Sequence, residues 1–178
     1  MTIPIAPSRA QLQLLNRQTL SYPLDLAEKD FHLAAALALI AQSPLADVLM
    51  FKGGTAIHHC YLPQLRFSED LDFSCRIPGH VTLDGIKAVL EAGGLFEVRK
   101  TFTSPATIKI ERLRYGGILA QPGVIKVEID HLQNVLLPPR VLPFRNVWGL
   151  EIALPVMDIV EVAAEKLRAA SQRARYRD

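Results

Sequence analysis

FKGGTAIHHCYLPQLRFSEDLDFS, residues 51–74, decides how the chain is read. Gly53, Gly54 and Thr55 precede Asp70 and Asp72, which alternate with Leu71 and Phe73, and Arg66 and Ser68 lead into the acidic stretch. A side-chain-free turn lets backbone approach a ligand closely. Where such a turn opens a helix, the unpaired N–H groups and the dipole favour phosphate. One residue apart on a strand, Asp70 and Asp72 point the same way, about 7 Å from each other, with Leu71 and Phe73 turned into the core. Two such carboxylates repel unless a cation lies between them. Mg²⁺ suits that place, since it takes one or two protein carboxylates and completes its shell with water and substrate phosphates. A wet acidic edge strand is the alternative for an isolated Asp-x-Asp, and the neighbouring turn weighs against it.

Outward from this stretch, a short helix is expected over 10–19. A helix apolar nearly all round follows, capped by Asp30, running to about Gln42 and ended by Ser43-Pro44. The run 47–51 reads as a buried strand, 56–61 as a short helix capped by Thr55, and 70–74 as the acidic strand. A helix over 84–92 closes on Gly93-Gly94, and strands are expected over 96–103, 106–115 and 124–131. Along VIKVEID (124–130), Lys126, Glu128 and Asp130 share one face and Ile125, Val127 and Ile129 the other. A neighbouring acidic strand can complete a two-metal site for in-line phosphoryl transfer. Lys126 reads equally well as a cross-strand charge partner.

The order of elements points to an α/β (α+β) fold, a mixed β-sheet flanked by helices, rather than a doubly wound one. The expected organisation is a sheet domain over 1–135, a Pro-rich connection over 136–157, and the start of a helical C-terminal region over 158–178. Asp158 with Glu161 forms an acidic capping box at the start of that last helix.

At 49% hydrophobic, the 178 residues can bury a full core. The net charge of +2 is too small to announce a nucleic-acid binder. Residues 139–178 carry seven Lys/Arg against five Asp/Glu, weak support for an anionic partner there. Cys60 and Cys75 lack metal spacing and read as reduced buried thiols. Adjacent His58 and His59 diverge by about 100° on a helix and form no metal pair. No signal segment is apparent and the apolar run 31–41 is too short to cross a bilayer, so a cytoplasmic location and no membrane partner are expected.

FKGGTAI, YLPQLRFSEDLDFS, IKVEI, EVAAEKLRAASQR and RYRD together resemble the DNA polymerase β-like nucleotidyltransferase fold. More closely, they resemble the AbiEii/AbiGii-type nucleotidyltransferase toxins of bacterial toxin–antitoxin and phage-defence systems. The likeness runs from Glu28 to Asp178. It implies that Lys52, Gly53, Gly54 and Thr55, with Ser68, hold a nucleoside triphosphate. Asp70 and Asp72 would bind Mg²⁺, or Mn²⁺ in its place, with Glu128 as third carboxylate and Asp130 in reserve. Lys166 and Asp178 would reach the nucleotide from the C-terminal helix, which in this family continues further, so a short or truncated helical part is expected. The implied reaction moves a nucleoside monophosphate from an NTP to an RNA acceptor such as a tRNA 3′ end, with a cognate antitoxin as partner. Two other classes stay open. One is a catalytically silent module that binds nucleotide or antitoxin; the other is a small-molecule nucleotidyl- or phosphotransferase.

Overall fold

Ala-rich and uninterrupted by Gly or Pro, the segment Leu24–Ala41 forms an 18-residue helix, and Phe31 to Ile40 is buried on every side. The computed structural model describes residues 2–62, 67–77, 79–132 and 135–172, with the side chain of 172 left aside. In chain order the helices are α1 (Arg9–Leu15), α2 (Leu24–Ala41), α3 (Gly53–Ala56), α4 (Leu83–Glu91) and α5 (Ile159–Gln172). The strands are β1 (Leu49–Lys52), β2 (Asp70–Cys75), β3 (Phe96–Thr103), β4 (Thr107–Tyr115), β5 (Gly123–Asp130), β6 (Arg140–Pro143) and β7 (Ala153–Val156). Wider π turns extend α1 over Asn16–Leu20 and α3 over Ile57–Tyr61.

Among the described residues the strands form one mixed sheet in the order β3-β4-β5-β2-β1-β7-β6. β2 runs antiparallel to β1 and parallel to β5, while β4 is antiparallel to both β3 and β5. Helix α2 packs on β2 and β5, whose Leu71, Phe73, Val127 and Ile129 are buried. Alternation then turns Asp70, Asp72, Lys126 and Glu128 to the opposite side of the sheet.

Several expectations are corrected. Asp30 does not cap α2: the helix starts seven residues earlier, with Pro23 as cap and its carbonyl accepting from Leu26 and Ala27. Asp30 instead lies buried inside the helix, where the Trp148 indole N–H donates to it at 2.8 Å. Thr55 does not cap α3 either. That helix opens at Gly53 behind Lys52, which leaves Thr55 in its first turn and fully buried. The Pro-rich stretch 136–157 contributes two strands, with β7 pairing parallel to β1 and β6 antiparallel to β7. Pro143 and Pro155 are tolerated because β6 is an edge strand and both strands are short. Asp158 does cap α5, accepting from the Val160 N–H at 2.9 Å, but Glu161 accepts from the N–H groups of Leu136 and Leu137 at 2.8 and 3.2 Å.

His59 ties the loop after β6 to the sheet. Its Nδ1 donates to the Arg145 carbonyl at 2.8 Å, its ring stacks on Phe144 at 4.2 Å, and the Arg145 Nε–H returns to the His59 carbonyl at 3.0 Å. Cys60 and Cys75 are both free thiols, and burial pushes the Cys60 thiol up to about 12. Among the described residues no helix is long and apolar enough to cross a membrane.

Candidate active site

Register assembles the acidic face. In the parallel pair β2–β5, Asp70 lies beside Lys126 and Asp72 beside Glu128; across the antiparallel pair β1–β2, Lys52 lies beside Asp72. Partners opposite one another share a face, so three carboxylates and two lysines converge from three adjacent strands.

Asp72 is the electrostatic centre. Burial pushes its carboxyl up to about 6, the charges of Asp70 and Glu128 push the same way, and Lys52 and Lys166 pull it back. Lys166, on α5, therefore acts on this point of the sheet. Lys52 is itself held by two carboxylates, Asp130 of β5 at 3.6 Å and Glu165 of α5 at 3.5 Å. Burial raises the Glu165 acid as well. Glu128 pairs with Lys109 of β4 at 3.0 Å.

The glycine turn is built around Asp72. Gly53 has φ +78°, and a Cβ there would overlap Asp72 Oδ2 and stand 3.0 Å from its Cγ. Left-handed backbone and missing side chain are both required for the carboxylate to sit against the turn. Gly54 follows in the first turn of α3, half-buried. The Thr55 hydroxyl donates to the Asp70 carbonyl at 2.6 Å and lies 2.9 Å from the Ser68 hydroxyl. Thr55 and Ser68 thus fasten the start of β2 to α3 and fix where Asp70 begins. Arg66 and Asp178 lie outside the described residues.

Of the residues singled out in the sequence, the fold brings Lys52, Gly53, Asp70, Asp72, Glu128 and Lys166 to one place, and Asp130 arrives through Lys52. Sequence reading did not single out Glu165 and Lys109. The signals were there: Glu165 directly precedes Lys166, and Lys109 sits on the polar beat of TIKIERLRY.

Among the described residues no three His, Cys, Asp or Glu side chains close into a metal cage. Mg²⁺ needs no such cage. Asp70 and Asp72 share one strand face with Glu128 beside them, and the Asp72 carboxyl is raised by burial and then by its like-charged neighbours. Hard oxygen donors in that arrangement are of the type Mg²⁺ accepts when water and phosphate complete its shell.

A family profile described as "Nucleotidyl transferase AbiEii toxin, Type IV TA system" matches residues 35–178. The chain belongs to the AbiEii nucleotidyl transferase toxin family. The structure of this AbiEii-family chain is similar to that of MenT4, a nucleotidyltransferase toxin from Mycobacterium tuberculosis H37Rv. The two are 28% identical with a TM-score of 0.68, over 92% of this chain and 60% of that one. JHP933 from Helicobacter pylori shares the fold at 18% identity and TM-score 0.62, over 86% of this chain and 60% of that one. The AbiEii-family chain therefore spans about 60% of the length of these two solved structures. No curated protein sequence is a significant match.

Proposed function

We propose that the chain is an Mg²⁺-dependent nucleotidyltransferase acting in the cytoplasm as the toxin of a toxin–antitoxin pair. It would move a nucleoside monophosphate from an NTP to the 3′ end of an RNA, with tRNA the favoured acceptor. One observation carries this reading: Asp70, Asp72 and Glu128 lie side by side on neighbouring strands, and Asp72 is pushed up to about 6 by burial and those neighbours. A carboxylate cluster that strains its own ionisation is suited to a cationic ligand.

The roles follow from position. Asp70 and Asp72 would hold the metal, with Glu128 as third carboxylate, and Mn²⁺ would serve in place of Mg²⁺. When bound, the ion neutralises phosphate charge and lines up the attacking and leaving oxygens. Backbone N–H groups of Gly53 and Gly54 face the triphosphate, and Lys52 and Lys166 offset its charge. Thr55 and Ser68 position Asp70 through their hydroxyls, Asp130 positions Lys52, and Asp178 would extend the nucleotide site from beyond α5. The acceptor 3′-oxygen forms a bond to the α-phosphorus, its proton passes to the carboxylate face, the α–β anhydride bond breaks, and pyrophosphate leaves.

The test is incubation of the chain with Mg²⁺, total tRNA and NTPs labelled at either the α or the γ phosphate. Transfer of α-label to RNA, lost in Asp70→Asn, is the expected result. Label moving from the γ position to a small molecule would make the protein a phosphotransferase. Mg²⁺-dependent nucleotide binding without pyrophosphate release would make it a silent nucleotide-binding module.

A further inference from the structure

Beyond Asp72, the same side of the sheet carries side chains that are about half exposed among the described residues, out to its edge. Following the register from Asp72, the same row crosses Glu128 on β5, Lys109 on β4 and Phe102 on β3. Four strands at ~4.8 Å spacing put Phe102 roughly 14 Å from the carboxylates. Phe102 is 51% exposed, which leaves its ring accessible from solvent on this face.

Beside that row the face turns basic. Arg114 lies opposite Val124 of β5 and Glu97 of β3, and Arg112 lies opposite Lys100. Arg99, Arg112 and Arg114 line one cleft of about 400 Å³, floored by Pro122, Gly123 and Val124. Glu97 is shared by Arg99 at 2.5 Å and Arg114 at 3.7 Å, while Glu111 is taken by Lys100 and Glu128 by Lys109. Arg112 and Lys126 have no ion-pair partner among the described residues. Counting Asp130 of β5, six cations thus meet four carboxylates on these three strands, and the excess gathers in the arginine cleft. Guanidinium groups suit phosphodiesters because their planar forks match phosphate oxygens. An exposed aromatic ring beside a cationic track is how single-stranded nucleic acid is held without reading its sequence.

We propose that the open face of β3, β4 and β5 seats the acceptor RNA strand, with Arg99, Arg112 and Arg114 on its phosphodiesters and a base stacked on Phe102. This rests on the nucleotidyl-transfer reading above and adds where the acceptor lies: its 3′ end points along the Glu128 row toward Asp72.

The experiment measures binding of a fluorescent single-stranded RNA oligonucleotide to the chain from 50 to 200 mM salt. NTP binding with Mg²⁺ is followed in parallel by thermal shift. Replacing Arg99, Arg112 and Arg114 together by Gln should weaken RNA binding at least tenfold and flatten the log–log salt dependence by about 2, three phosphate contacts at ~0.7 each. The same three changed to Lys should restore most of the salt dependence, which a fold defect would not allow. Phe102→Ala should weaken binding about tenfold and leave the salt slope alone. NTP stabilisation should be untouched in every variant. The proposal is overturned if the Gln variant keeps wild-type affinity and slope, or if the wild-type chain does not bind RNA. Failure of the nucleotidyl-transfer reading looks different: RNA binding stays arginine-dependent while NTP with Mg²⁺ stabilises nothing.

Discussion

The Asp72 carboxylate occupies the space that a side chain at Gly53 would need. Turn and acidic strand are therefore one construction: the turn admits the carboxylate only because position 53 is a glycine with φ +78°. Gly53→Ala should cost ~1–2 kcal/mol for its left-handed backbone plus about 1–3 kcal/mol for displacing Asp72. Gly94→Ala, also at positive φ but facing open space, should cost only the backbone part. Chemical denaturation of the two variants separates these contributions.

Asp72 ionises against its surroundings, so its charge destabilises the ligand-free fold. Its folded value, about 6, lies above the free aspartate value, so the cost grows as pH rises from 4 to 6 and is complete above. Asp72→Asn should therefore raise stability at pH 7.5, without divalent cations, by on the order of 1–2 kcal/mol while abolishing transfer. A melting temperature below wild type would contradict this.

His32 works in the opposite direction. Buried in α2, with Nδ1 donating to the Glu28 carbonyl at 2.8 Å and its ring stacked on Tyr115 at 3.7 Å, it is pushed down to about 4 by burial. A lowered histidine stabilises fully above its free value near 6.5, and that stabilisation is lost as pH falls toward 4. Denaturation at pH 5 should show about 2 kcal/mol less stability from this group than at pH 7.5, and His32→Gln should remove that share of the difference.

Glu165 reaches from α5 to Lys52 beside Asp72, and so sets where the helix bearing Lys166 meets the sheet. Glu165→Gln should weaken Mg²⁺–NTP binding by roughly tenfold, as loss of a supporting partner around a metal does, with little change in melting temperature. Titrating nucleotide by thermal shift checks it.

Most of the site was readable from residues 51–74 and 124–130, because strand alternation puts Asp70, Asp72 and Glu128 on a polar face whatever the topology. What alternation cannot convey is which strands are neighbours. That Asp72 meets Glu128 rather than Asp130 is a matter of parallel register, and that Lys52 claims Asp130 depends on side-chain reach. The helix starts misled for a similar reason. Asp30 and Thr55 are good capping residues, yet burial uses them elsewhere, for Trp148 and for the Asp70 carbonyl. The strands β6 and β7 were hidden by their prolines, which short strands near a sheet edge can accommodate.

The most direct measurement is equilibrium dialysis of NTP against the chain at pH 7.5, with and without Mg²⁺, for wild type beside Asp72→Asn. Binding by wild type that needs Mg²⁺ and drops at least tenfold in a folded Asp72→Asn variant is the expected result. Equal binding by both proteins, or binding indifferent to Mg²⁺, would contradict a metal–nucleotide site built on Asp70, Asp72 and Glu128.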